Sequence, residues 1–158
     1  LDSDRAELCR RTFTGKNYKV STMEIDRDTD SYMIFTVNEI LSKYKDAQLF
    51  LIIGSDMFLS FHKWYKYREI MKKCTLCVMS REDEDTVKAL RSYAFSTLHI
   101  YMPSNEANGI IISPSSPLEI SSTEIRQKIS AGEDVSDVLT KEAYEFIKER
   151  GMYGYAKK

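Results

Sequence analysis

Leu49-Phe50-Leu51-Ile52-Ile53-Gly54-Ser55-Asp56 is the stretch on which the reading of the fold turns. Its apolar residues run on without alternating between an inward and an outward face, the pattern of a parallel strand covered on both sides. Upstream, Ile34, Val37, Leu41 and Tyr44, with Ile40 beside them, trace one face of a helix ending near Lys45. A charged turn at Asp26–Asp30 precedes that helix, a strand is expected around Tyr18–Ile25, and residues 3–14 read as a helix. In that first helix Ser3 caps, Ala6, Cys9 and Phe13 recur at spacings of three and four, and Gly15 terminates.

Downstream, a short helix around Tyr67–Lys73 leads to a strand at 74–80, and Glu84–Phe95 is a helix with Val87, Leu90 and Ala94 on one side. A strand at Thr97–Met102, a loop at 103–108 and another buried strand at Gly109-Ile110-Ile111-Ile112 follow, after which Pro114 and Pro117 frame a rigid turn. One further helix is capped at Ser121 and stopped by Gly132; the last starts near Thr140, turns Ala143, Phe146 and Ile147 inward, and stops at Gly151. Strands alternating with helices predict right-handed βαβ crossovers, hence a Rossmann-like α/β fold: an open parallel sheet with helices on both faces. The strands at 49–53, 74–80 and 109–113 are expected to be buried on both faces, with ligands beyond the carboxyl ends of the strands.

With 158 residues, 42% of them apolar, the chain is the size of one domain spanning 1–158, with no second domain expected. Lys plus Arg number 23 and Asp plus Glu 24, so no positive field favours a nucleic-acid backbone and phosphate recognition has to be local. No apolar run approaches the ~20 residues of a membrane span and the start lacks a signal-peptide pattern, which makes a cytoplasmic protein the expectation. Cys74 and Cys77 form a literal C-x-x-C, but within a strand residues three apart point to opposite faces and cannot share a metal. His62 and His99 are not at ligand spacing either, so no metal site is expected.

Ile120-Ser121-Ser122-Thr123-Glu124-Ile125-Arg126 carries the strongest chemical signal. Ser121 with Glu124 is a capping box. Ser122 and Arg126, four apart, are read as facing one side of the helix, opposite an Ile125/Ile129 stripe. Free backbone N–H groups, hydroxyls, a helix dipole and a guanidinium then converge as a triphosphate requires, although a plain capped helix explains part of the same pattern. Gly54 lets a ligand approach the backbone and Asp56 suits a ribose diol, while the lone Trp64 sits in a polar, basic setting within His62-Lys63-Trp64-Tyr65, where it is either core or a platform for a heteroaromatic ring.

In order and spacing, Gly54-Ser55-Asp56, Lys63-Trp64-Tyr65, Arg81 and the segment 120–126 resemble bacterial nicotinate-nucleotide adenylyltransferase, a family of the nucleotidyltransferase superfamily. The resemblance runs from about Asp4-Arg5 to Tyr153 and includes Asp30-Ser31-Tyr32. It implies adenylyl transfer from ATP to nicotinate mononucleotide, giving nicotinate adenine dinucleotide and pyrophosphate, a step of NAD biosynthesis. By that resemblance Gly54 and Asp56 serve the ATP side, Asp56 on a ribose; Ser121, Ser122, Thr123 and Arg126, with Arg81, hold ATP phosphates; Trp64 stacks on the nicotinate ring, with Lys63, Tyr32 and Met33 beside the mononucleotide. Mg²⁺ is expected to arrive with the triphosphate, without a dedicated protein site.

Members of the family begin with a strand and a turn of the type G-G-S/T-F-D/N-P-x-H-x-G-H whose two histidines contact the phosphates, and no such motif is present here. The chain opens with Leu1. A strand, the phosphate turn, a helix and another strand are therefore expected upstream, this chain is expected to hold no catalytic residue and to be inactive by itself, and self-association through the uncovered sheet edges is expected. The chain also has Met33 and Phe35 around Ile34 where family members carry polar residues, and His62 in place of Pro. The alternatives are another adenylyltransferase, such as one acting on phosphopantetheine, which the Lys63-Trp64-Tyr65 segment argues against, and a non-catalytic nucleotide-binding module.

Overall fold

In the computed structural model, which describes residues 2–81, 83–115 and 121–155, three of the apolar runs form a parallel ladder. The strands are β1 (Leu49–Gly54), β2 (Cys74–Arg81), the two-residue β3 (Glu106–Ala107) and β4 (Ile110–Ser115), in the order β1-β2-β4-β3. Leu51 stands opposite Leu76, and Leu76 opposite Ile110. Only β3 runs antiparallel. It is joined to β4 through Asn108 and Gly109, both at positive φ (50° and 78°), the backbone a tight primed hairpin turn needs. That Asn-Gly signal lies where a plain loop was expected.

The chain divides into two compact units, Asp28–Pro117 and Leu1–Arg27 with Leu118–Lys158. The first holds the sheet together with α2 (Met33–Lys43), α3 (Ser55–Leu59), α4 (Tyr67–Lys73) and α5 (Glu84–Ser96). Its core joins Ile53, Leu76, Val78, Ile110 and Ile112 of the strands to Ile34, Phe58, Ile70 and Leu90 of the helices. Each such side chain, fully withdrawn from water, contributes about 1.5–3 kcal/mol.

The alternate residues of β1 point the other way: Phe50 is 52% and Ile52 69% exposed. The expectation that 49–53 is covered on both faces is therefore corrected. β1 ends the sheet and its second face is open, because an unbroken apolar run encodes a strand but not the neighbours that cover it. β2 likewise buries Leu76 and Val78 while leaving Met79 at 39% exposure.

Two other expected strands are absent. Residues 97–102 stay irregular: Leu98 N–H and Ile100 N–H return to the Tyr93 and Ala94 carbonyls of α5, and His99 takes a φ of 60°, so the extension is broken while Leu98 and Met102 are still buried. Residues 18–25 find no ladder among the described residues; Tyr18 and Ile25 are exposed and the backbone is held in turns, Tyr18 to Gly15 and Asp26 to Thr22. Pro114 was expected in a turn but lies within β4, past the residues that β3 pairs, where its missing N–H costs no ladder bond. Pro117 and the turn leading to Ser121 lie outside the described residues.

The second unit is built from α1 (Asp2–Thr12), α6 (Ser122–Ala131) and α7 (Lys141–Arg150) around Ile129, Val135 and Ile147. Gly132 stops α6 at a φ of 74°, as its place in the sequence predicts. On α1, Ala6 is buried and Leu8 packs on this core, whereas Cys9 and Phe13, expected inward, are exposed. α1 lies instead along α7, where the Arg11 guanidinium sits 4.3 Å from the Phe146 ring centroid and Asp4 pairs with Arg150 at 3.0 Å.

Candidate nucleotide site

The first group of candidate residues follows the carboxyl end of β1. Gly54 leaves the strand as the N-cap of α3, and Asp56 lies in the first turn of that helix. A Cβ on Gly54 would stand 2.7 Å from Asp56 Oδ1, so the absent side chain is what lets the carboxylate lie over this residue. Lys63 ends a 3₁₀ turn, Phe61–Lys63, whose buried Phe61 anchors it to the core. Trp64 comes next, half-buried, with its ring 5.1 Å from that of Phe61. It packs on the core cluster through that contact.

The turn continues through Tyr65 and Lys66, whose φ of 55° is left-handed and stores of order 1 kcal/mol of strain before α4 begins. Tyr65 packs at a tilt of 37° against Tyr32 with centroids 4.6 Å apart, and Phe35 meets both rings edge-on, at 5.9 Å from Tyr32 and 6.1 Å from Tyr65. Tyr32 is the N-cap of α2, and Met33 its first residue; the Tyr32 side chain makes no capping bond, while its carbonyl accepts from the Phe35 N–H at 2.9 Å. The structure thus joins Tyr32 and Met33 to the Lys63-Trp64-Tyr65 turn, a contact that spacing along the chain does not disclose. Phe35 and Tyr65 complete an aromatic cluster that the sequence reading did not assign; adjacency to Tyr32 and Trp64 is the signal that points to them. Arg81 ends β2, opposite Ser115 in the ladder.

The second group lies at the start of α6. Ser121 Oγ accepts from the Glu124 N–H at 3.2 Å and Glu124 Oε2 accepts from the Ser121 N–H at 2.6 Å, completing the capping box. The Ser121 N–H, and after it the hydroxyl, hold the Glu124 carboxyl below the ordinary carboxylate range. Arg126 donates to Thr123 Oγ1 at 3.3 Å and is otherwise exposed, as are Ser122 and Thr123.

Ser122, Ile125, Arg126 and Ile129 are related by steps of three and four, which places them on one helical face. Together with Leu8 and Ile147 they line a cavity of about 200 Å³, so Ser122 and Arg126 do not point away from the Ile125/Ile129 stripe.

Cys74 is buried and Cys77 lies on the other face of β2, as strand alternation requires; burial pushes the Cys74 thiol up, and both are free. Among the described residues no three His, Cys, Asp or Glu side chains gather as metal ligands do. No helix among them is long and apolar enough to cross a membrane.

A family profile described as cytidylyltransferase-like matches residues 2–128. A probable nicotinate-nucleotide adenylyltransferase of Legionella pneumophila is 32% identical over 144 residues, covering 87% of this chain and 68% of the relative. A relative of the same description from Staphylococcus saprophyticus is 29% identical over 135 residues, covering 85% and 62%. Among solved structures, the Plasmodium falciparum nicotinic acid mononucleotide adenylyltransferase complexed with NaAD superposes with a TM-score of 0.55 at 14% identity, over 82% of this chain and 60% of that one, a likeness of fold. The chain thus spans about two thirds of the Legionella relative's length. The open, mostly parallel α/β sheet and the relatives agree: this chain belongs to the cytidylyltransferase-like nucleotidyltransferases, and within them to the nicotinate-nucleotide adenylyltransferase family.

Proposed function

We propose that this chain serves adenylyl transfer from ATP to nicotinate mononucleotide, yielding nicotinate adenine dinucleotide and pyrophosphate in NAD biosynthesis. The observation that carries the reading is the Legionella relative of that description, 32% identical across the segments that hold Asp56, Trp64 and the α6 start. A mononucleotide phosphate oxygen attacks the α-phosphorus of ATP, one P–O bond forms, the α–β bridge bond breaks, and pyrophosphate leaves with the electron pair. The nucleophile is already anionic and the leaving group stable, so no proton has to be moved in the step. In-line positioning and charge neutralisation supply the acceleration.

On this reading Ser121, Ser122, Thr123, Arg126 and Arg81 take the ATP phosphates, and Asp56 takes a ribose diol over Gly54. The Ser121 N–H is already bonded to Glu124, which leaves the next N–H groups, the Ser122 hydroxyl and Arg126 for phosphate oxygens. Trp64 carries the nicotinate ring, Lys63 lies beside it, and the α2 start at Tyr32 and Met33 serves the mononucleotide. Mg²⁺ arrives with the substrate triphosphate. The reaction runs in the cytoplasm, where ATP is held, with no nucleic-acid partner, and the open edge of β1 takes part in self-association. We infer that the whole of 1–158 works as one nucleotidyltransferase domain.

The reading is tested by pyrophosphate release from ATP plus nicotinate mononucleotide, with the Legionella relative alongside, and by titration of each nucleotide into this chain. Both nucleotides should bind. Turnover should be absent, because His62 and His99 form no H-x-G-H pair and a missing donor in such a site costs about 10²–10³ in rate. Trp64→Ala should weaken mononucleotide binding by about 1–3 kcal/mol, the scale of base–aromatic stacking. Binding of neither nucleotide would sink the proposal in favour of a relic module, and full turnover would show that the catalytic groups lie within these residues.

A further inference from the structure

The turn that carries Trp64 is held by a residue outside every group assigned above. Tyr93, on α5, approaches the 3₁₀ turn with its phenol. The backbone N–H of His62 donates to Tyr93 Oη at 3.1 Å, and His62 Nδ1 lies 2.9 Å from the same oxygen. Within the turn the first internal bond is Lys63 N–H to the Ser60 carbonyl, and no side chain caps it, so the His62 N–H is one of the donors such a turn leaves over. The phenol supplies the acceptor.

Oη accepts from the amide and shares a second hydrogen bond with Nδ1, whose direction is set by the His62 tautomer. The Tyr93 ring is itself wedged edge-on against the fully buried Phe58, with centroids 5.3 Å apart. The phenol is therefore a fixed point. Elsewhere the turn is held by the Trp64 ring on Phe61, by Tyr65 against Tyr32 and by backbone bonds from Lys63 and Trp64 to Ser60 and Phe61, and the phenol adds the tie at His62.

We infer that Tyr93 is a positioning residue for the mononucleotide half of the site: through the His62 amide and imidazole it sets the turn that presents Trp64. The inference rests on the reading of Trp64 as the nicotinate platform. Tyr93→Phe keeps the ring against Phe58 and removes both hydrogen bonds. His62→Asn keeps a side-chain amide that can donate or accept near the position of Nδ1 and leaves the backbone bond intact, so it serves as the conservative rescue, with His62→Ala as its contrast.

The experiment uses the 158-residue chain, titrated calorimetrically with nicotinate mononucleotide and with ATP. Steady-state anisotropy of its single tryptophan is read in the free protein. Tyr93→Phe should lower the Trp64 anisotropy and weaken mononucleotide binding about 5- to 10-fold, the scale that one neutral hydrogen bond adds net, with ATP binding unchanged. His62→Asn should stay near the parent, and His62→Ala should fall between. Unchanged anisotropy with unchanged affinity overturns the inference, as does an equal loss of both ligands with the tryptophan signal unmoved. A fall in anisotropy with mononucleotide affinity intact supports the tether and sinks the assignment of Trp64 to the nicotinate ring.

Discussion

Replacing Gly54 with alanine tests the ribose reading of Asp56 while leaving the carboxylate in the chain. The added Cβ would lie 2.7 Å from Asp56 Oδ1 and 3.9 Å from its Cγ, so the carboxylate has to turn away. Gly54 sits at φ −75° and ψ 162°, a region open to any residue, so the backbone accepts alanine without strain. Restricting the unfolded chain then stabilises the protein by about 0.4–1 kcal/mol. Pushing Asp56 off its preferred rotamer costs about 0.5–1.5 kcal/mol, and because this side chain is exposed it can rotate and escape most of that. The two effects nearly offset, and the thermal midpoint should move little. Binding has no such offset. A hydrogen bond to a charged group contributes about 1.5–3 kcal/mol, so its loss raises the ATP Kd about 10- to 150-fold. Calorimetric titration with ATP beside thermal denaturation, with Asp56→Ala in parallel, separates the two readouts. The reasoning is refuted if Gly54→Ala binds ATP like the parent while Asp56→Ala does not, or if Asp56→Ala binds normally.

Three more outcomes are expected. Ser121→Ala should cost about 1 kcal/mol of stability, the usual worth of an N-cap hydroxyl. Because Ser121 depresses the Glu124 carboxyl below its ordinary 4.5, this pair's contribution is fully present above that pH and is lost as pH falls through the lowered value. Acid unfolding curves of parent and Glu124→Gln should accordingly converge below about pH 4.5, and parallel curves down to the lowest pH would contradict the linkage. The uncharged, proline-free β1 edge with Ile52 69% exposed should drive self-association, which Ile52→Lys relieves at little cost to folding. A sedimentation profile showing monomer at every concentration for the parent chain would remove that expectation. Lys66→Gly should be neutral or slightly stabilising in thermal denaturation, since the left-handed backbone there suits glycine; a clear loss would mean that the Lys66 pair with Glu69, at 3.3 Å, outweighs the strain.

Local chemistry was enough to read the elements that depend on it. The capping box at Ser121, the helix start near Thr140, the glycine stop at Gly132 and the buried faces of α5 and α7 all follow from residues within a few positions of one another, and the structure shows each of them. The alternation of apolar runs with amphipathic helices likewise predicts the parallel pairing of β1, β2 and β4, since parallel neighbours need a crossover between them. The family resemblance was legible for the same reason, in three short motifs held in order.

What the sequence left open was decided by partners distant along the chain. Leu49–Ile53 and Thr97–Met102 are both apolar enough for a strand, yet only the first finds a ladder, and then only on one side and one face. Residues 97–102 spend their backbone donors on the end of α5 instead. Ser122 and Arg126 share a face with Ile125 and Ile129, and only the packing of α1 and α7 shows that this face borders a cavity. Tyr32 meets Tyr65, and Tyr93 meets His62 across 31 positions, because the core brings α2 and α5 to the turn after β1. Periodicity and capping act over one or two turns of chain, whereas strand neighbours, open faces and ring contacts are set by which elements share a core, and that is a property of the whole folded chain.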